Sequence, residues 1–548
     1  MEQKLKKNSF IQGTLIASIA LIFIKVLGAL YVIPFYKIVG EDGGTLYSYA
    51  YSIYNLFLNI STAGIPIAMS MIISEYLALE MYDAKERSYK VGKYMISILA
   101  IISFCAVFFG SELLARFILS NAQDGHSIHD VSMVIKSISF CLLIIPFLSV
   151  LRGYLQGHKF IAPTSAAQVI EQVVRILIVI FGSFISIKIY KSSIPIGVSV
   201  ALSGTFFGGL FAYIYLRRKV LNNKRSFPVS DKRNNVSNTT LAKKILMYCI
   251  PLVIIAVTDN LYTLIDIKLI IKGLNIVGYN TLTAETISSI LATWAPKICA
   301  IIAAISVALT TNIIPHVTSS YVCKDYKNVM YRINQAISTV LIITIPMAAL
   351  MFLLSNEAYF IFYGNNQYGP LILKMTAIIN VFFAVNTVLT SSLQAMKKFR
   401  VIYLNTFIGL LANACLDIPM ILLLNKLGLP AYVGTSCATM IGYTISISMS
   451  LIHLHKEMNF NYKATLKTIR KTIIPFICLF VPILLSKIFI KYEYNYLTAF
   501  ISLIIHGIFG TCVYLIVMYI NGNIIDVFGR EYVNRLLIKL HLKKEETN

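Results

Sequence analysis

Charge is scarce in this chain. Of its 548 residues only 13% are Asp, Glu, Lys or Arg, against roughly 25% in soluble domains. The deficit excludes a protein surrounded on all sides by water. Paired cysteines are missing as well. Nine stand singly (Cys105, Cys141, Cys249, Cys299, Cys323, Cys415, Cys437, Cys478 and Cys512), a spacing that supports neither disulfides nor a metal site. The eight histidines are scattered, and His158 and His316 read as loop or helix-end residues. There is no Walker loop, no dinucleotide-binding glycine turn and no zinc-protease His-Glu motif. That argues against an ATP-driven pump built from this chain alone, and no cofactor is expected. No cleavable signal peptide is evident either. The basic stretch Met1–Phe10 leads into an apolar run that is too long and lacks a small-residue cleavage site, so the first span is expected to be kept as a helix.

What the chain does have is apolar sequence, 57% of the total, recurring from end to end. A window of about nineteen residues predicts about fourteen spans: Ile11–Ile33, Tyr47–Ile73, Val91–Gly110, Val131–Leu151, Phe160–Ile187, Ile194–Leu216, Ile245–Ile271, Ile287–Ile314, Ile333–Leu354, Leu371–Leu393, Val401–Leu424, Ala431–Leu454, Ile473–Ile490 and Tyr496–Ile520. Runs of this length in lipid fit helices, because every backbone polar group must be satisfied within the segment. The expected fold is therefore an all-α integral membrane protein.

The formal charge of +24 is informative through its placement. With the N-terminus inside, the inner segments hold 34 Lys and Arg and the outer loops about 8, which places both termini in the cytoplasm by the positive-inside rule. The charge thus sets topology. Nucleic-acid binding is not expected, since no folded basic domain exists to present such a surface. The longest basic stretch, Arg217 to Lys244, reads as a cytoplasmic linker lying against anionic lipid.

The halves flanking that linker echo one another. Leu151-Arg-Gly-Tyr-Leu-Gln-Gly-His-Lys and Leu389-Thr-Ser-Ser-Leu-Gln-Ala-Met-Lys share one pattern, and Ile65-Pro-Ile-Ala-Met-Ser matches Ile305-Ser-Val-Ala-Leu-Thr at nearly the same offset. The expected organisation is a parallel repeat: residues 1–216 as an N-lobe of six helices, 217–244 as linker, 245–454 as a C-lobe of six, 455–520 as two further helices, and 521–548 as a tail. Within the tail, Asp526–Leu542 reads as an amphipathic helix on the inner surface. Transporters built from such repeats place the substrate path between the halves.

Several segments carry a resemblance. Ile24-Lys-Val-Leu-Gly-Ala-Leu-Tyr-Val-Ile-Pro34, Gly43-Gly44 with Tyr47, Ser61-Thr-Ala-Gly-Ile-Pro-Ile-Ala-Met-Ser70, Ile170-Glu-Gln-Val-Val-Arg175 and Thr263-Leu-Ile-Asp266 resemble the polysaccharide-precursor exporters of the stage V sporulation protein B-like group. That group is close to the MurJ-type lipid II flippases, within the superfamily that includes the MATE drug exporters. The resemblance implies a V-shaped, two-lobe architecture in the bacterial cell membrane. It also implies a polyprenyl-pyrophosphate-linked glycan as substrate, most specifically lipid II, with the last two helices extending a groove for the lipid tail. The chain departs from the MurJ-type pattern at Tyr31 and Val32, where those proteins carry Arg and Asp.

Charges inside spans are costly and so mark function by default. Lys25 in the first helix and Lys297 in the eighth, read as lying in opposite lobes, form a cationic clamp for a pyrophosphate if both face the cleft, with Tyr31 beside them and Arg175 a further contact. The alternative is snorkelling or pairing with a carboxylate. Glu171 and Arg175, four apart on one helix, are spaced to neutralise each other, or substrate competes for Arg175. Asp259, Asp266 and Asp417 are candidates for a coupling cation, Na⁺ or H⁺, or for balancing nearby lysines. Pro66 and Pro296 are expected to bend helices two and eight. Three functions follow: a lipid-linked oligosaccharide flippase acting as a monomer among membrane lipids, a cation-coupled drug exporter on the same fold, or a membrane enzyme on such lipids. The short outer loops disfavour the enzyme.

Overall fold

A computed structural model of the chain describes residues 20, 23–119, 125–223, 227, 236–489 and 495–524, with the side chains of 305–316 and 322 left aside. The helices run as α1 (Val32–Thr62), α2 (Ile65–Ala78), α3 (Tyr82–Phe109), α4 (Ser111–Ile118), α5 (Ile128–Ser139), α6 (Cys141–Gly157), α7 (Ile161–Leu177), α8 (Ile194–Asn222) and α9 (Asn238–Ile276). They continue as α10 (Thr281–Ser289), α11 (Ala295–Val322), α12 (Tyr326–Leu353), α13 (Ser355–Tyr363), α14 (Gly369–Ala395), α15 (Phe399–Lys426), α16 (Gly434–Met458), α17 (Lys463–Phe489) and α18 (Tyr496–Ile520). Wide π-type turns extend α7 through Ile178–Gly182 and Ile185–Ile189, and join α10 to α11 through Ile290–Trp294. Among the described residues, 13 helical segments are long and apolar enough to cross a membrane. The chain is a multi-pass, all-helical membrane protein.

Most of the first expected span, Ile11–Ile33, lies outside the described residues; the other expected spans fall on these helices, which overrun them at most ends because polar ends can continue into the headgroup region. The main departure is near the start. Residues 23–30 are helical, and α1 carries the chain past the expected boundary at Ile33 with a single break at Gly40 (φ 71°). Most of the loop expected before Tyr47 is helix. A second break falls at Gly64 (φ 78°), a left-handed conformation that suits glycine. Pro66 then sits in the first turn of α2, where its missing N–H costs nothing. The proline therefore starts a helix instead of bending one. The linker is shorter than expected: Arg217 to Lys219 belong to α8, and Lys243 and Lys244 to α9. The expected amphipathic helix at 526–542 lies outside the described residues.

Contacts divide the chain into two compact units, Met1–Lys297 with Asp417–Tyr432, and Ile298–Leu416 with Val433–Asn548. In the first, α2, α3 and α6 pack around Met69, Ile72, Ile96, Leu148 and Leu155. Gly153 brings α6 against α2 so closely that a Cβ there would lie 2.7 Å from the Pro66 carbonyl oxygen. In the second, α17 and α18 pack on α12 through Ile342, Leu479, Ile483 and Met518, and Tyr514 donates a hydrogen bond to the Ile342 carbonyl at 2.8 Å. Lipid is as apolar as leucine, so close backbone approach and polar contacts of this kind hold helices together where hydrophobic burial does not. The exposed Ile501, Ile505 and Ile508 of α18 form a surface suited to lipid chains.

Candidate functional site

The site begins with two glycines on α8. Gly204 and Gly208 are one turn apart, and a Cβ on them would lie 2.9 Å from the Arg175 carbonyl oxygen and 2.5 Å from that of Glu171. Small residues four apart let two helix backbones approach in lipid, and here they fix the register of α7. Arg152 of α6 then takes Glu171 in an ion pair at 2.5 Å. Arg175 is left without a carboxylate among the described residues; one of its terminal nitrogens donates to Gln172 Oε1, while its Nε has no partner. The expected Glu171–Arg175 pair thus gives way to an inter-helix pair that frees Arg175.

Lys297 occupies the first turn of α11, directly after Pro296 and the wide turn Ile290–Trp294. A proline at 296 cannot donate to the carbonyl of residue 292, and a loosened turn accommodates the loss. Four aromatic rings surround the Lys297 ammonium: Trp294 at 4.4 Å, Tyr47 at 4.5 Å, Tyr31 at 5.5 Å and Tyr51 at 5.6 Å. Lys297 also donates to the Tyr31 hydroxyl at 3.3 Å, which in turn lies 3.2 Å from the Tyr47 hydroxyl. Each cation–π contact is worth on the order of 0.5–2 kcal/mol. The rings hold the cation in place and leave its charge without a carboxylate among the described residues.

These groups meet Arg175. Tyr31, Tyr47, Tyr51 and Lys297 all lie within its electrostatic reach, as does Lys25, which is exposed on the segment 23–30. The three basic residues read from the sequence therefore converge, and Tyr31 sits among them. Lys297 falls in the same compact unit as Lys25, instead of apart from it as the repeat suggested. Sequence reasoning missed Tyr47 and Tyr51 as cage walls, Trp294 altogether, and Arg152 as the partner of Glu171. A count of tyrosines four apart ahead of a break could have flagged the first two.

The wall beside the cage is a seam between α1 and α10 with its following turn. Thr45 donates to Ser289 Oγ at 3.2 Å, and the Ser48 and Thr293 hydroxyls lie 2.6 Å apart. Gly44 presents no side chain, so Trp294 packs within 3.3 Å of where a Cβ would stand.

The acidic candidates separate. Asp266 and Asp417 are buried and their carboxyl groups interact directly. Asp259, on the same face of α9, is exposed. Among the described residues no group of three or more His, Cys, Asp or Glu side chains is placed to hold a metal ion.

Comparisons with known proteins agree with this architecture. Lipid II flippase MurJ of Bacillus subtilis (strain 168) is 28% identical over 95% of this chain and 97% of its own length. Stage V sporulation protein B of the same organism is 24% identical over 74% of this chain and 77% of its own. Among solved structures, a lipid II flippase MurJ in an inward closed conformation superposes with a TM-score of 0.67 at 18% identity, covering 95% of this chain and all of that one. An inward-facing multidrug resistance MATE family transporter gives 0.62 at 13% identity over 81% of this chain and 98% of its own. The polysaccharide biosynthesis protein family matches residues 10–302, more than half of the chain, and to that family this membrane protein belongs.

Proposed function

We propose that the chain is a flippase that carries an undecaprenyl-pyrophosphate-linked cell-wall precursor, most specifically lipid II, from the inner to the outer leaflet by alternating access. The observation that carries the reading is the cage: Lys297 and Arg175 gathered around Tyr31, with Lys25 within electrostatic reach of Arg175 and no carboxylate taking Lys297 or Arg175 among the described residues. An unneutralised cation cluster in a span suits a polyanionic headgroup, which Arg can bind through its planar fork and Lys as a point charge. The likeness to lipid II flippase MurJ over nearly the whole chain supports the same substrate. The work is translocation, not covalent chemistry. With both termini inside, an inside-negative potential drives an anion outward by about 2.3 kcal/mol per charge per 100 mV.

An ion gradient is a second source of drive. Two buried carboxyl groups in contact cannot both be charged at low cost, so Asp266 and Asp417 share either a proton or a small cation, and such a site can be coupled to transport. Drug efflux finds a single favouring observation, the exposed carboxylate of Asp259.

The test is complementation. A bacterium depleted of its lipid II flippase is supplied with this chain, and exposure of lipid II at the outer surface is assayed. The wild type should restore exposure, and Lys297→Ala and Arg175→Ala should abolish it at equal protein level. A well-expressed wild type that fails removes lipid II as the substrate and moves the question to other lipid-linked glycans.

A further inference from the structure

The loop before α5 grips the end of α10 through a single side chain. Glu285 is 1% exposed, and one of its oxygens accepts both the backbone N–H of His126, at 3.1 Å, and His126 Nδ1. The grip is close because residue 125 is glycine: a Cβ there would lie 2.4 Å from the other Glu285 oxygen. That oxygen has no hydrogen-bond partner, and neither has the hydroxyl of fully buried Tyr49 on α1, whose surroundings include Glu285. Asp42, also on α1, acts on the His126 ring as a second acid. The facing titratable groups are thus Glu285 from α10, Asp42 and Tyr49 from α1, and His126 itself. On the expected topology the cluster is at the outer end of the helices, one to two turns from the Thr45–Ser289 and Ser48–Thr293 seam.

We propose that His126 and Glu285 form an outer-face proton-binding latch, closed over the α1–α10 seam when His126 is protonated and released when it is neutral. The inference rests on the flippase reading only for its purpose, since it is the proton occupancy of a contact present in the chain whatever the substrate. Burial disfavours the charged ring, but the hydrogen bond and charge of Glu285, with Asp42 behind them, outweigh it and raise the His126 pKa above its ordinary 6.5. The sign follows. The charge-assisted part of the contact is fully present below the ordinary histidine value and is lost as pH climbs through the raised one. An acidic outer surface therefore favours the closed seam, and alkali loosens it.

The chain carries its own reporter. It has one tryptophan, Trp294, fully buried beneath the seam and edge-on to Tyr36 at 5.2 Å. In the full chain reconstituted into liposomes, acrylamide quenching of Trp294 is followed from about pH 5 to about pH 9. Shielding should fall along a sigmoid with its midpoint above about 6.5, the ordinary histidine value. His126→Gln should give high, flat quenching and His126→Arg low, flat quenching. A flat wild-type trace, or an unchanged sigmoid in His126→Gln, overturns the latch. If His126→Gln does not fold, a sigmoid that persists in His126→Arg overturns it equally. No substrate enters the assay, so a sigmoid without lipid II transport sinks the substrate reading alone, and transport with a flat trace sinks the latch alone.

Discussion

Lys297 and Arg175 of the first compact unit are held in a way opposite to Lys487 and Lys398 of the second. In the second, Lys487 donates to Glu357 at 2.7 Å, and Glu357 is fully buried and further contacted by Ser502. Lys398 and Tyr321 likewise converge on Glu457, each at 2.7 Å. In the first, Lys297 is held by rings and a phenol, and Arg175 by an amide. A cation matched to a carboxylate is a fastening: its charge is spent within the fold. A cation propped by aromatic and neutral groups keeps its field for something that arrives later. The distinction sorts charges within spans by partner, where composition alone sorts them only by depth.

The comparison can be broken most sharply at Lys487. Lys487→Ala should strand Glu357 in the interior and lower stability by about 3–5 kcal/mol, seen as a large fall in melting temperature in detergent, and Glu357→Gln added to it should recover part of that loss. Lys297→Ala strands no carboxylate and should lower melting less than Lys487→Ala does, while substrate affinity falls by about ten- to a hundredfold, as loss of a charged hydrogen bond implies; equal destabilisation in both variants would erase the contrast. Arg152→Ala sharpens it further. Released from Arg152, Glu171 should neutralise Arg175 and reduce transport by about tenfold, and the double variant with Glu171→Gln should restore it. The smallest effect is expected at Gly208→Ala, where the new Cβ must push α8 away from the Glu171 carbonyl at a cost of about 1–3 kcal/mol, measurable as a modest shift in melting.

Much of this was legible in the sequence for a physical reason. Spanning helices are written in contiguous apolar runs, so their number and rough limits needed no tertiary information, and the expense of a charge in lipid pointed to Lys25, Arg175 and Lys297. Helix starts and breaks were less legible: after the break at Gly40 the helix resumes through Glu41 and Asp42, polar residues that lie outside the apolar run and so were not counted with it, and Gly64, not Pro66, marks the break between α1 and α2. Pairing was least legible. The spacing of Glu171 and Arg175 on one helix argued for a local pair, and only the approach of α6 brings Arg152 in to replace it. Asp259 and Asp266 share a face by count, yet one is exposed and the other buried against Asp417. Helical spacing reports which groups look the same way, not what they meet.

The hydroxyl seam between α1 and α10 has a kinetic meaning. Hydrogen bonds between helices in membrane proteins average about 0.6 kcal/mol, so the two at Thr45–Ser289 and Ser48–Thr293 together bias the joint by no more than a few RT. A seam of that strength is weak enough to open and reclose on the microsecond to millisecond scale of collective helix motion. Replacing these hydroxyls with stronger ion pairs would lengthen the dwell time of the closed joint, and the pace of each cycle would then be set by the seam instead of by the cargo.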